Sequence, residues 1–167
     1  TIGGGSRYEW IRYRPSIVTN FEIKGKNEFL TSFLFWGINT LDRPALPRRG
    51  VKMEGEIGWV YNQSPSVKTY VNGSEVNSDS LGIRYNNYER LALNFESYSP
   101  IGKKVTFLTQ FQTGINFNYD QNIFNDFVIG GINNMFRNQV LFAGLEEGTF
   151  FTPSVAVITL GARVTIY

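Results

Sequence analysis

Glu54 and Glu56 stand two residues apart in an alternating run, which places both carboxylates on one face of a strand. Such a pair could do general acid/base work or hold a divalent cation. On the polar face of a sheet, carboxylates more commonly pair with Lys or Arg, and that reading is preferred. The chain has no histidine and no cysteine. Ser-His-Asp and Cys-His nucleophiles, histidine or thiolate metal sites and disulfides are therefore excluded. A Ser-Asp dyad needs no histidine, but its serine sits in G-x-S-x-G. The nearest match, Gly4-Gly5-Ser6-Arg7-Tyr8, lacks the final glycine and reads as a flexible turn. Gly3-Gly4-Gly5 is too short for a phosphate loop and lacks its lysine. Net charge is +2, with basic residues scattered apart from the pairs Arg48-Arg49 and Lys103-Lys104, so nucleic acid is not an expected partner. The sequence predicts no enzyme, no cofactor and no metal.

The elements that would carry these residues are strands. Apolar residues recur with period two, and almost nowhere with the period of a helix. At the end of the chain Ala156, Ile158, Leu160, Ala162, Val164 and Ile166 share one face, opposite Val157, Thr159, Gly161, Arg163 and Thr165. Met53, Ile57, Trp59 and Tyr61 oppose Lys52, Glu54, Glu56 and Asn62. Leu91, Leu93 and Phe95 oppose Arg90, Asn94 and Glu96, while Phe107, Phe111, Ile115 and Phe117 oppose Thr106, Gln110, Gln112 and Asn116. Further strands are expected at residues 7–14, 17–23, 27–39, 127–130 and 139–143. In 27–39 both faces are apolar, so its inward side is ambiguous. Pro15 breaks the first run, and Ser99-Pro100-Ile101-Gly102 reads as a tight turn. Residues 41–50, 63–80 and 118–125 read as connections, the last two long and polar.

Aromatics make up 16% of the chain and charged residues 18%, fewer than the ~25% charged of an ordinary soluble domain. No run approaches the ~18 apolar residues of a spanning helix. Alternation needs one apolar and one polar environment, and a soluble sandwich or a membrane barrel supplies both. Two features favour lipid. The strands around 103–118 and 155–167 reach the ~9–11 residues needed to cross a bilayer obliquely. Trp59, Tyr61, Phe117 and Tyr119 lie near strand ends, where aromatic girdles sit. Short turns alternating with long polar loops fit the same layout.

The segment Asn39-Thr40-Leu41-Asp42-Arg43-Pro44-Ala45-Leu46-Pro47-Arg48-Arg49-Gly50 resembles the strand–turn–strand signature D-x-x-x-x-P-x-x-G of the BamA superfamily of outer-membrane β-barrels (the bacterial surface antigen type), with Asp42, Pro47 and Gly50 at matching positions. The likeness continues through a hairpin at 88–116 to Phe127-Val128-Ile129-Gly130-Gly131, which resembles that family's F-x-x-G-G strand end. It covers roughly residues 30–131. After Gly131 the family's V-R-G-F is replaced by Ile132-Asn133-Asn134-Met135-Phe136-Arg137, a variant similar to the barrels attached to patatin-like phospholipases of Bacteroidetes-type bacteria. Arg137 reads as a wall or loop arginine.

The expectation is an all-β, antiparallel transmembrane β-barrel domain or segment with about eight meandering strands. It would sit in the outer membrane of a Gram-negative bacterium, anchoring a fused or partner domain and forming the wall of a lipid or polypeptide passage. Any lipase would lie outside this chain. Met53, Ile57, Trp59, Leu91, Leu93, Phe107, Phe111, Leu160, Val164 and Ile166 are expected to face lipid. Further strands or a second copy would close the barrel, and 159–166 is read as an internal strand. The alternative is a soluble β-barrel binding a hydrophobic ligand.

Overall fold

The computed structural model describes residues 1–13, 21–72, 74–76, 85–120, 125–131, 138–146, 148 and 150–166. Among them are strands and no helix: β1 (Ile2–Tyr13), β2 (Phe21–Asn39), β3 (Gly50–Val71), β4 (Ser74–Val76), β5 (Tyr88–Ile101), β6 (Val105–Phe117), β7 (Phe127–Ile129), β8 (Gln139–Val140), β9 (Phe150–Thr152) and β10 (Ser154–Val164). One large antiparallel sheet runs in the order β1-β2-β3-β5-β6-β10, with β4 folded back on β3. It is open: β1 and β10 are its two edges.

Several boundaries differ from the sequence reading. The segment Gly4-Gly5-Ser6-Arg7-Tyr8 is no turn but part of β1. Gly3, Gly4 and Gly5 lie within β1, opposite Phe35, Leu34 and Phe33. A Cβ on Gly3 would come within 2.6 Å of the Phe35 ring. The large cross-strand side chains thus cover the space that the glycines leave. The strands expected at 17–23 and 27–39 are one continuous strand, β2, from Phe21; residues 17–20 and Pro15 lie outside the described residues. Residues 63–71, read as loop, continue β3 against the lower-numbered half of β2, with Val67 opposite Gly25 and Val71 opposite Phe21. Pro65 is tolerated because β5 pairs β3 only as far as Val60, leaving an edge there. Asn62, at φ 54°, marks the irregularity between the two halves of this long hairpin. Residues 77–80 lie outside the described residues. Ser99, Pro100 and Ile101 still pair with β6, so the tight turn is Gly102 to Lys104.

The largest difference is topological. Strands near 127 and 139 exist, but they are not wall strands. β7, β8 and β9 form a separate three-stranded sheet, in which β7 and β8 run parallel. The chain leaves the large sheet after β6, builds this insert across residues 118–153, and returns as β10 beside β6, with Ala162 opposite Phe107. A simple meander is therefore corrected.

Register assigns every side chain of the large sheet to one of two faces. Phe127 lies on Gly114, where any Cβ would collide with its ring, so the insert covers the face that carries Gly114. That covered face also carries Arg7, Glu9, Lys52, Glu54, Glu56, Arg90, Glu96 and Arg163. Among the described residues no segment packs on the opposite face, which is bare in that sense. From Ile2 to Trp10, Leu30 to Ile38, Val51 to Tyr61, Leu91 to Ile101, Val105 to Phe117 and Ser154 to Val164 it presents no charged side chain. The ambiguity of 27–39 is resolved: Phe29 and Phe33 point to the covered face, and Leu34 stands out on the bare one at 60% exposure.

Candidate functional site: a covered polar face and a bare apolar face

On the covered face the charges are matched. Arg7 donates to both carboxylate oxygens of Glu56, at 2.6 and 3.1 Å, and its Nε donates to Glu9 at 2.9 Å. Thr31 adds a bond to Glu9 at 2.8 Å, and the Arg7 guanidinium lies 4.2 Å from the Phe33 ring centre. Lys52 pairs with Glu54 at 3.0 Å. The two carboxylates that could have formed an acid/base pair are thus each engaged by a cation. Alternation put both carboxylates and Lys52 on one face, while the Arg7 partner on β1 became visible only in three dimensions.

The second network holds the insert. Arg90, on β5, is 8% exposed and sits at the centre. Its Nε donates to Asn116 at 3.0 Å, Nη1 to the Asn138 side chain at 2.7 Å, and Nη2 to the Asn125 carbonyl at 2.5 Å. The Phe127 ring lies 5.0 Å from the guanidinium. Asn116 also donates to the Asn125 carbonyl at 3.0 Å. Arg137 lies outside the described residues. By alternation alone Arg90 has only a place on a polar face, because its partners arrive from 26 to 48 residues away.

Beside this network Phe29, Val60 and Tyr88 form a small core with Ile11 and Tyr119 packed against it. Tyr119 was expected in a girdle. It instead meets Tyr88 edge to face at 4.9 Å and accepts a hydrogen bond from the Asn125 backbone. Burial raises its phenol pKa above the usual value. Below the core, a cleft of about 960 Å³ remains between insert and sheet, lined by Phe35, Glu54, Asn94, Gln112, Phe127 and Gln139 among others.

The motif residues have local roles. Asp42 accepts backbone hydrogen bonds from Arg48 at 2.9 Å and Arg49 at 3.3 Å, and these hold its carboxyl below the usual carboxylate range. Pro47 is buried, and Gly50 adopts φ 113°, a conformation in which any Cβ would strike the Thr40 carbonyl. Gly130 and Gly131 also have positive φ, turning the chain at the end of β7. The Gly130 carbonyl accepts from buried Gln139 at 2.7 Å. The β2–β3 turn crosses one end of the sheet: Arg48 donates to the Lys103 carbonyl at 2.6 Å, and Arg163 donates to the Leu46 and Pro47 carbonyls.

The bare face holds Met53, Ile57, Trp59, Leu91, Leu93, Phe107, Phe111, Leu160 and Val164, and Ile166 continues its alternation just past β10. Ile57, Trp59, Phe107, Leu160, Val164 and Ile166 are exposed, the other four half-buried by neighbours. Several of its hydroxyls bond within the sheet. Ser32 links Ser6 at 2.9 Å and Tyr61 at 3.1 Å, and Thr113 donates to the Val155 carbonyl at 2.9 Å. Aromatics gather at one end. Tyr8, Trp10, Trp59, Tyr61 and Phe117 sit on β1, β3 and β6 beside the first charges of this face, Glu28 and Glu89. Trp59 stacks on Tyr61 at 4.9 Å.

Comparison with family models, characterised proteins and solved structures returns no match for this chain.

Proposed function

We propose that this chain forms wall of a transmembrane β-barrel in the outer membrane of a Gram-negative bacterium. In this reading it is no enzyme. It anchors a fused or partner domain, and its polar face lines a passage for lipid or polypeptide that the insert fills. One observation carries the proposal: an uncharged, largely exposed apolar face extends over all six strands while the charged side chains of the same stretches turn the other way. Water would penalise so broad an apolar surface, and exposed patches beyond a few hundred Å² mark interaction or membrane sites. From Val51 to Tyr61, at ~3.3 Å per residue and a tilt of ~40°, the band stands ~25 Å tall, the height of a barrel's lipid-facing belt. The aromatic rim suits the same setting.

An open sheet edge in hydrocarbon leaves N–H and C=O groups unpaired at several kcal/mol each, so in a membrane both β1 and β10 acquire strand partners, from further strands or a second copy. The resemblance of the Asp42, Pro47 and Gly50 turn to BamA-superfamily barrels agrees with this reading, and outer-membrane lipids are its first partners. A soluble barrel that binds a hydrophobic ligand would turn the apolar face inward, whereas here the insert packs on the charged face. The test is fractionation. The membrane protein needs detergent for extraction and migrates differently in gels before and after heating. Recovery in the aqueous fraction, with no heat-dependent shift, overturns the proposal.

A further inference from the structure

The two ends of the apolar band differ in charge. At the aromatic end the flanking charges on the bare face are of both signs: Glu28, Glu89, Arg12 and Lys26, with Lys24 and Lys68 further out; Glu28 is bound by Lys26, Glu89 by Asn118 and Lys68 by Glu75. At the opposite end the β2–β3 and β5–β6 turns carry Arg43, Arg48, Arg49, Lys103 and Lys104 against a single acid, Asp42. Arg43 lies 3.5 Å from Asp42, and Arg48 is spent on the carbonyls of Gly102 and Lys103. Those last bonds clamp the two turns together, so their cations form one surface. Among the described residues, Arg49, Lys103 and Lys104 have no ion-pair partner, and all three are exposed.

Their place relative to the apolar band identifies the anion. Lys104 directly precedes Val105, and Arg49 comes two residues before Val51, where the uncharged band begins. If the band spans hydrocarbon, these cations lie at headgroup depth, where the available anions are lipid phosphates. We infer that the short-turn end binds anionic phospholipid headgroups through Arg49, Lys103 and Lys104. This rests on the membrane reading and adds a lipid preference that the apolar band alone does not require. Exposed Lys and Arg near an anionic surface act nearly additively and are screened by salt. The preference is therefore a low-salt effect shared among three side chains.

The experiment uses the assembled protein extracted from membranes and placed in phosphatidylcholine nanodiscs with or without phosphatidylglycerol, with bound lipid read by native mass spectrometry. Phosphatidylglycerol is expected to be retained over phosphatidylcholine. The R49Q/K103Q/K104Q variant should lower that retention about tenfold or more, and K24Q/K26Q/K68Q at the other end should leave it unchanged. High salt should erase the preference of the unsubstituted protein, which tests the inference even if the triple variant folds poorly. Equal retention of both lipids after normal insertion overturns the inference and leaves the membrane reading standing. Displacement of phosphatidylglycerol by millimolar inorganic phosphate shows a free-anion site and overturns the lipid assignment. Failure to enter nanodiscs of either composition overturns the membrane reading and this inference with it.

Discussion

Arg90 and Asp42 show how single side chains fix large segments. Arg90 holds two separate stretches of the insert, and its removal leaves Asn116, Asn125 and Asn138 without their charged donor. We expect Arg90→Ala to loosen the insert by about 3 kcal/mol, since hydrogen bonds to charged groups contribute about 1.5–3 kcal/mol each. The backbone amides of Val128 and Gly130, bonded to Asn138 and Val140, should then exchange about a hundredfold faster, while those of β5 keep their protection. Unchanged exchange would show that Phe127 and its neighbours suffice. Asp42 acts through acceptance. Its folded pKa lies below the ordinary 3.8, so its stabilisation of the turn is complete above that value and is lost as pH falls through the depressed one. Heat-dependent gel migration followed as pH falls below the ordinary aspartate value and through the depressed one should show this acid loss, and Asp42→Asn should remove that component.

Elements meet through gaps as much as through contacts. Gly114 gives Phe127 its seat against β6, and that contact joins the insert to the large sheet. Gly114→Val should force the ring out at a cost of about 1–3 kcal/mol, the usual range for overpacking. Cleavage by chymotrypsin next to Phe127 is the readout, and it should accelerate. Combining Gly114→Ala with Phe127→Ala should relieve the clash, so that the double variant is less disturbed than the sum of the two singles. Additive effects would mean that the two residues do not meet in the working protein.

For the whole molecule, the two faces predict opposite tolerances. Arg in place of Ile57 or Phe111, near the middle of the band, should cost roughly 2–4 kcal/mol in refolding into lipid vesicles, and Arg at Tyr61 on its edge roughly 0–1 kcal/mol. On a soluble protein these exposed or half-exposed positions would tolerate Arg far better, the exposed ones within ~0.5 kcal/mol. The hairpins also set a sidedness, since the turns at 40–49 and 102–104 lie at one end and the β3–β4 tip at the other. In intact cells a cysteine at Ser74 should react with an impermeant label and one at Lys103 should not. The reverse pattern would turn the topology over.

Period-two alternation needs only neighbouring residues, because side chains of a strand point alternately to its two faces. For that reason the sequence alone was enough to identify an all-β chain, to group Met53, Ile57, Leu91, Phe107 and Leu160 as apolar positions opposite the charges, and to mark the Asp42-to-Gly50 turn. It misplaced whatever depended on partners distant in the chain. Residues 63–71 look like loop until β2 pairs with them, and Gly4-Gly5-Ser6-Arg7-Tyr8 looks like a turn until it pairs with residues 30–34 of β2. Residues 127–129 and 139–140 look like wall until Arg90 and Gly114 draw their segments onto the covered face. The tertiary structure decided these cases because backbone pairing and the filling of space are settled between segments, where no local pattern records them.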